Sequence, residues 1–286
     1  MIYKEEEGGI ASTRDDSFMS QIRRTIKQLV PERTRIGLRL LQSWISENLY
    51  LYKTSCPFKL FLFFNLQFLE GKALDTKYRD QSLEFEKVRC RLDLSSDWFS
   101  HNIPFWLSII DELDLKSRPV EVLEIGSFEG LSGHFILSTM PNARLTCVDS
   151  WGGDEEDEGN VPNSSIASNE FERRFDRNLT FFKDRVTKYK TSSYSFFHDH
   201  PSKEFYDFIY VDGSHSASDV IIDAIKCFEM LKIGGVIIFD DYFWNRNPTK
   251  DNPAAAINFF LRLNRGTYRV VKFYYQLVLV KISSDS

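Results

Sequence analysis

Glu124-Ile125-Gly126-Ser127-Phe128-Glu129-Gly130 (EIGSFEG) closes an apolar run that begins at Val120 and leads into Leu131 to Met140, apolar at helical spacing. The stretch therefore ends a buried strand and opens a helix. Gly126 and Gly130 let the backbone turn tightly and approach a ligand closely. The helix that follows directs free N–H groups into the same turn, where Ser127 also lies. A dinucleotide pyrophosphate wants three glycines at such a turn. This loop has two, and Glu124 stands beside them. Its carboxylate would repel a pyrophosphate and suit the ammonium of an amino-acid-bearing ligand.

Working outward, three more short apolar runs follow: Ala143 to Asp149, Phe205 to Asp212 and Gly235 to Asp240. Each is rich in Val, Ile or Phe, as strands buried on both faces are. Helical patterns lie between them, among them Ser218 to Leu231 with its apolar positions on one face. Alternation of this kind predicts right-handed crossovers and a parallel sheet, a three-layer α/β fold of Rossmann-like type. The end differs. Tyr268 to Phe273 and Gln276 to Ile282 are joined by a link short enough to allow only an antiparallel hairpin.

Asp149 ends the second strand, 23 positions after Gly126. A carboxylate there can accept hydrogen bonds from both hydroxyls of an adenosine ribose. Taken alone it could equally be a capping Asp. Asp212 ends the third strand, and Asp240 and Asp241 end the fourth. Parallel neighbours bring these ends to one edge, where ligands bind. Three carboxylates so close repel unless a proton or a cation sits among them, and a hard divalent ion such as Mg²⁺ would serve. The alternative is that some of them cap loops or helices. His215, in the sequence DGSH, is a candidate general base. It could instead cap the helix that starts near Ser218.

The net charge of −5 argues against a general nucleic-acid binder. Cys56, Cys90, Cys147 and Cys227 form no CxxC or Cys/His spacing, which fits a reducing cytoplasm. The start, MIYKEEEGG, lacks the pattern of a signal peptide. The most apolar run, Phe58 to Leu69, is too short to span a bilayer and contains Lys59.

The chain divides into a polar, disordered tail over 1–20, a helical accessory region over 21–95 and a catalytic domain over 96–286. Residues 21–60 carry eight basic side chains against two acidic ones. That is a solvated helical face or, on a sharper reading, a contact for an anionic surface. Apolar helix faces in this region predict packing on the catalytic domain or a homo-oligomer. Residues 71–95 look like a charged connector. The acidic run Asp154 to Glu158 predicts a mobile loop after the second strand.

The segments EIGSFEG, TCVDSWGG, YVDGSH, LKIGG and FDDY resemble those of class I S-adenosylmethionine-dependent methyltransferases. They are most similar to methyltransferase domain family 24, and beyond it to the macrocin-type and catechol-type O-methyltransferases. The likeness covers roughly residues 98–282. It implies a seven-stranded sheet whose last strand is antiparallel. It also implies S-adenosylmethionine as cofactor, with Glu124 and Gly126 at the methionine end, Ser127 and Gly130 also binding the cofactor, and Asp149 on the ribose. Trp151 would pack near the ribose or adenine. Ser193 would match a serine of the adenine side, although Thr191 and Ser192 replace the Gly-Asp pair that often precedes it. Asp212, Asp240 and Asp241 look like the metal triad of those enzymes, Asp212 also bordering the cofactor. Ser214 stands where several macrocin-type enzymes have an acidic residue, which leaves His215 as base. The implied reaction is O-methylation of a small-molecule or sugar hydroxyl. Two other functions remain open: a non-catalytic S-adenosylmethionine-binding protein, and a nicotinamide-dependent oxidoreductase. Nucleic-acid amino-methyltransferases carry an Asn/Asp-Pro-Pro-aromatic motif where this chain has DGSH, which argues against a nucleic-acid acceptor.

Overall fold

The apolar runs form the strands expected of them. A computed structural model of the chain describes residues 70–152, 165–244 and 251–284. The tail expected over 1–20, residues 21–69 of the expected helical accessory region and the acidic run lie outside the described residues.

Seven strands make one sheet: β1 (Val120–Ile125), β2 (Ala143–Asp149), β3 (Val186–Lys190), β4 (Tyr206–Val211), β5 (Leu231–Phe239), β6 (Tyr268–Phe273) and β7 (Leu277–Lys281). Their order is β3-β2-β1-β4-β5-β7-β6. The first five pair in parallel, and β7 is antiparallel to both β5 and β6. Strand order therefore reverses between β1 and β4, the place in an open α/β sheet where a crevice forms.

The helices are α1 (Arg79–Arg89), α2 (Ile103–Glu112), α3 (Leu131–Thr139), α4 (Ser165–Asn178), α5 (Ser193–Asp199), α6 (Ala217–Met230) and α7 (Pro253–Leu263). Their starts are written locally. Ser216 accepts from Asp219 N at the head of α6, and Asn252 accepts from Ala255 N at the head of α7, with Pro253 in its first turn. Gly130 caps α3 in the left-handed conformation, at φ 80°. Among the described residues, no helix is long and apolar enough to cross a membrane.

Two local features differ from the expectation. The charged stretch after residue 70 is helical, not a plain connector, and Tyr78 and Phe85 sit in the core with Trp106 and Phe135. Two aromatic positions among many charges were enough to anchor that helix. Strand β3, sequence VTKYK, has no apolar run to mark it. It lies at the sheet edge, where Lys188 and Lys190 meet Glu172 of α4.

Candidate active site

The crevice is built from the carboxyl ends of β1, β2, β4 and β5. Gly126 leaves β1 at φ 84°. A Cβ added there would lie 1.9 Å from the carbonyl oxygen of Asp212. The glycine loop thus runs against the backbone that follows β4, and only a residue without a side chain fits between them.

Asp149 holds this loop. Its Oδ2 accepts from Ser127 N at 2.9 Å and Phe128 N at 2.8 Å, and its Oδ1 from Trp151 N at 2.6 Å. An ionised carboxylate offers about four acceptor sites, so about one is left over. Burial raises the Asp149 carboxyl above its usual range, against the pull of the three N–H donors. Trp151 is buried, donates from Nε1 to the Phe128 carbonyl at 2.7 Å, and packs edge-on against Phe175.

Glu124 lies fully buried beneath the loop. It accepts from the Ser132 hydroxyl and faces the Cys147 thiol at 3.6 Å. Burial raises its carboxyl. Ser193 opens α5, where Ser192 supplies the cap.

Of the three aspartates expected at the ends of β4 and β5, Asp212 and Asp240 meet, through partners that the sequence did not announce. The Tyr210 hydroxyl meets Asp212 Oδ2 at 2.8 Å and also makes a very short contact to Asp240 Oδ2. Gln276 Nε2 donates to Asp240 Oδ2 at 2.8 Å, and Asp241 N to Asp240 Oδ1 at 2.7 Å. Trp106 Nε1 fixes Gln276 in turn at 2.8 Å. One phenol carries one proton, so it cannot donate to two carboxylates at once. Two carboxylates that share one phenol in this way repel unless a proton or a cation sits between them. Burial, then the neighbouring carboxylates, raises the carboxyl of Asp212 well above its usual range, and Asp240 moves in the same direction.

Asp241 turns the other way. Its backbone is left-handed, at φ 53°, uncommon for a residue with a side chain. Its Oδ2 lies 2.9 Å from His215 Nε2. Burial, then the Asp241 carboxylate, raises the Tyr275 phenol above its usual range. The His215 ring stacks on Trp244, with centroids 4.5 Å apart. Such a pairing fixes which ring nitrogen holds the proton. Among the described residues, no group of three or more His, Cys, Asp or Glu side chains is arranged to hold a metal ion.

Tyr210, Gln276, Tyr275, Trp244 and Glu129 were not anticipated. Tyr210 carried a signal, since it lies two residues before Asp212 and so points to the same face of β4. Gln276 was a lone amide in an apolar hairpin.

Residues 123–242 match the family model of the methyltransferase domain, family 24. Among solved structures, a Staphylococcus aureus protein designated a caffeoyl-CoA O-methyltransferase is 17% identical, with a TM-score of 0.49, covering 75% of this chain and 100% of that one. A Klebsiella pneumoniae protein designated an O-methyltransferase is 13% identical, with a TM-score of 0.49, covering 76% and 100%. The O-methyltransferase TomG from Streptomyces achromogenes, solved with S-adenosylmethionine, is 13% identical, with a TM-score of 0.46, covering 71% and 89%. At such identities neither substrate nor chemistry transfers from one protein to another. No curated protein matches the chain significantly.

Proposed function

We propose, from the methyltransferase domain that residues 123–242 match, that this chain transfers a methyl group from S-adenosylmethionine to a hydroxyl of a small molecule or sugar. The observation that carries the choice of an oxygen acceptor is the His215–Asp241 pair, 2.9 Å apart beside the glycine loop's neighbour Asp212. A hydroxyl must lose a proton as it is methylated, and a histidine oriented by a carboxylate is suited to take it.

S-adenosylmethionine supplies an electrophilic methyl carbon. The acceptor oxygen forms the new C–O bond, the C–S bond breaks with its electron pair returning to sulfur, and His215 receives the hydroxyl proton. Asp241 stabilises the imidazolium so formed. In this reading the loop from Gly126 through Ser127 to Gly130, together with Asp149, positions the cofactor. Glu124 adds negative potential behind the methionine end. Trp151 and Ser193 bound the nucleoside side, and Asp212 borders both cofactor and acceptor. Position is the main contribution the protein makes, because the sulfonium needs no covalent activation.

Divalent-metal assistance by Asp212, Asp240 and Asp241 is the second reading. Its support is the meeting of Asp212 and Asp240 at the Tyr210 hydroxyl, since carboxylates so close call for either a proton or a cation between them. As the side chains stand, Asp240 is engaged on both oxygens by Tyr210, Gln276 and the Asp241 amide. A metal would have to displace some of those partners.

The direct test is calorimetric titration with S-adenosylhomocysteine, followed by transfer of an isotope-labelled methyl group to a panel of hydroxyl acceptors. Binding without transfer to any acceptor would favour a non-catalytic binding protein. Binding of a nicotinamide dinucleotide instead would overturn the proposal.

A further inference from the structure

The glycine loop is gripped from outside by a second set of residues. Glu129, the last residue of the loop before Gly130, is 1% exposed. Its carboxylate accepts from Ser95 N at 2.7 Å, from the Ser95 hydroxyl at 2.8 Å and from Arg174 Nη1 at 2.6 Å. Beside it, Asn178 donates to the carbonyls of Glu129 at 2.8 Å and Asp93 at 3.0 Å, and accepts from Asp93 N at 2.8 Å. The segment from Asp93 to Trp98 is thereby fastened to the loop, and the Trp98 ring stacks on Phe128 with centroids 5.0 Å apart.

The other partners share one helix face. Phe171, Arg174, Phe175 and Asn178 follow the spacing that aligns side chains along one side of α4. Phe171 meets the Phe128 ring at 4.8 Å. Arg174 meets Glu129. Phe175 meets Trp151 at 4.9 Å, and a Cβ added at Gly130 would lie 3.1 Å from its ring. A packing role alone would be met by apolar side chains. A buried carboxylate paired to a guanidinium is instead a geometric device, costly when either half is removed.

We propose that Glu129 is a positioning residue: with Arg174 it clamps α4 and the segment 93–98 onto the glycine loop and so sets the loop's geometry for the cofactor. The inference rests on the cofactor reading given above. Holding Ser127 and Phe128 where their N–H groups meet Asp149 removes loop freedom that binding would otherwise have to remove.

The test uses the full chain labelled with 5-fluorotryptophan, as wild type, Glu129→Gln, Arg174→Lys and Ser95→Ala. The Trp98 fluorine resonance is assigned by its loss in Trp98→Phe. Glu129→Gln should weaken S-adenosylhomocysteine binding about tenfold or more and shift or broaden the Trp98 resonance, because a charged acceptor is lost. Arg174→Lys, which keeps the charge, should recover most of the affinity. If Glu129→Gln does not fold, Ser95→Ala removes a single neutral donor and should still move the Trp98 resonance and weaken binding by about threefold. A folded Glu129→Gln protein with wild-type affinity and an unmoved Trp98 resonance overturns the inference, even if it melts at a lower temperature. Failure of the wild type to bind at all overturns the cofactor reading and this inference with it.

Discussion

His215 Nε2 lies 2.9 Å from Asp241 Oδ2, although the two residues stand 26 positions apart and follow different strands. Residue Val211 of β4 is in register with Phe239 of β5, so the turns after the two strands begin side by side. The left-handed backbone at Asp241 then swings its carboxylate away from Asp240 and toward the imidazole. Strain of this kind is held in place at functional sites by surrounding structure. Here the Asp241 amide is fixed on Asp240 Oδ1, and His215 meets the carboxylate.

If that pair takes the acceptor proton, His215→Ala should lower methyl transfer by roughly 10²–10⁴-fold while leaving S-adenosylhomocysteine affinity near that of wild type. Asp241→Asn should do less, since the histidine remains. Steady-state rates with a labelled methyl donor, beside calorimetry, check both. Equal loss of cofactor affinity in His215→Ala would mean that the ring supports the fold instead.

Removal of divalent ions separates the two readings of the acidic cluster. On the histidine reading, chelator-treated protein keeps its activity and Asp240→Asn acts mainly on stability. On the metal reading, chelation abolishes transfer, cofactor binding survives, and adding back Mg²⁺ restores the rate. An amide in place of Asp240 would be a poorer ligand for a hard cation.

Asp149→Ala removes the acceptor of three backbone N–H groups as well as any bond to the ribose. Hydrogen bonds to a charged group contribute about 1.5–3 kcal/mol each. Affinity for S-adenosylhomocysteine should fall about tenfold or more. An unchanged dissociation constant in folded protein would remove Asp149 from the cofactor site.

Asp223 predicts how stability varies with pH. It is buried in α6, its Oδ1 has no hydrogen-bond partner, and burial pushes its carboxyl up to about 7. The folded chain therefore holds this proton more tightly than the unfolded chain, whose Asp titrates near ~4. Stability falls as pH rises from ~4 through about 7 and is level above that. Asp223→Asn should match wild type near pH ~4 and exceed it at pH ~8, by on the order of 3–4 kcal/mol at most. Melting temperatures across that range are the measurement. A wild-type-like profile in the variant would mean that the folded Asp223 titrates normally.

What the sequence determined by itself is what the strand and helix periods encode locally. The apolar runs that became β1, β2, β4 and β5, the turn at Gly126 and Gly130, and the aspartates at strand ends all follow from neighbours within a few residues. A parallel sheet then necessarily brings Asp149, Asp212, Asp240 and Asp241 to one edge. Strand β3 was illegible because an edge strand needs one apolar side at most, and its lysines face the acids of α4. Only the tertiary structure decided which way each side chain turns at that edge. The return of the hairpin delivers Gln276 and Tyr275 to the acids, and Tyr210 joins Asp212 to Asp240. Likewise Glu129 reads as one more loop carboxylate until α4 and the segment around Ser95 close over it. Apart from Tyr210 and Asp212, two residues apart, those partners lie tens of residues away in the chain, and their meeting depends on sheet order and helix packing, for which no local period carries a signal.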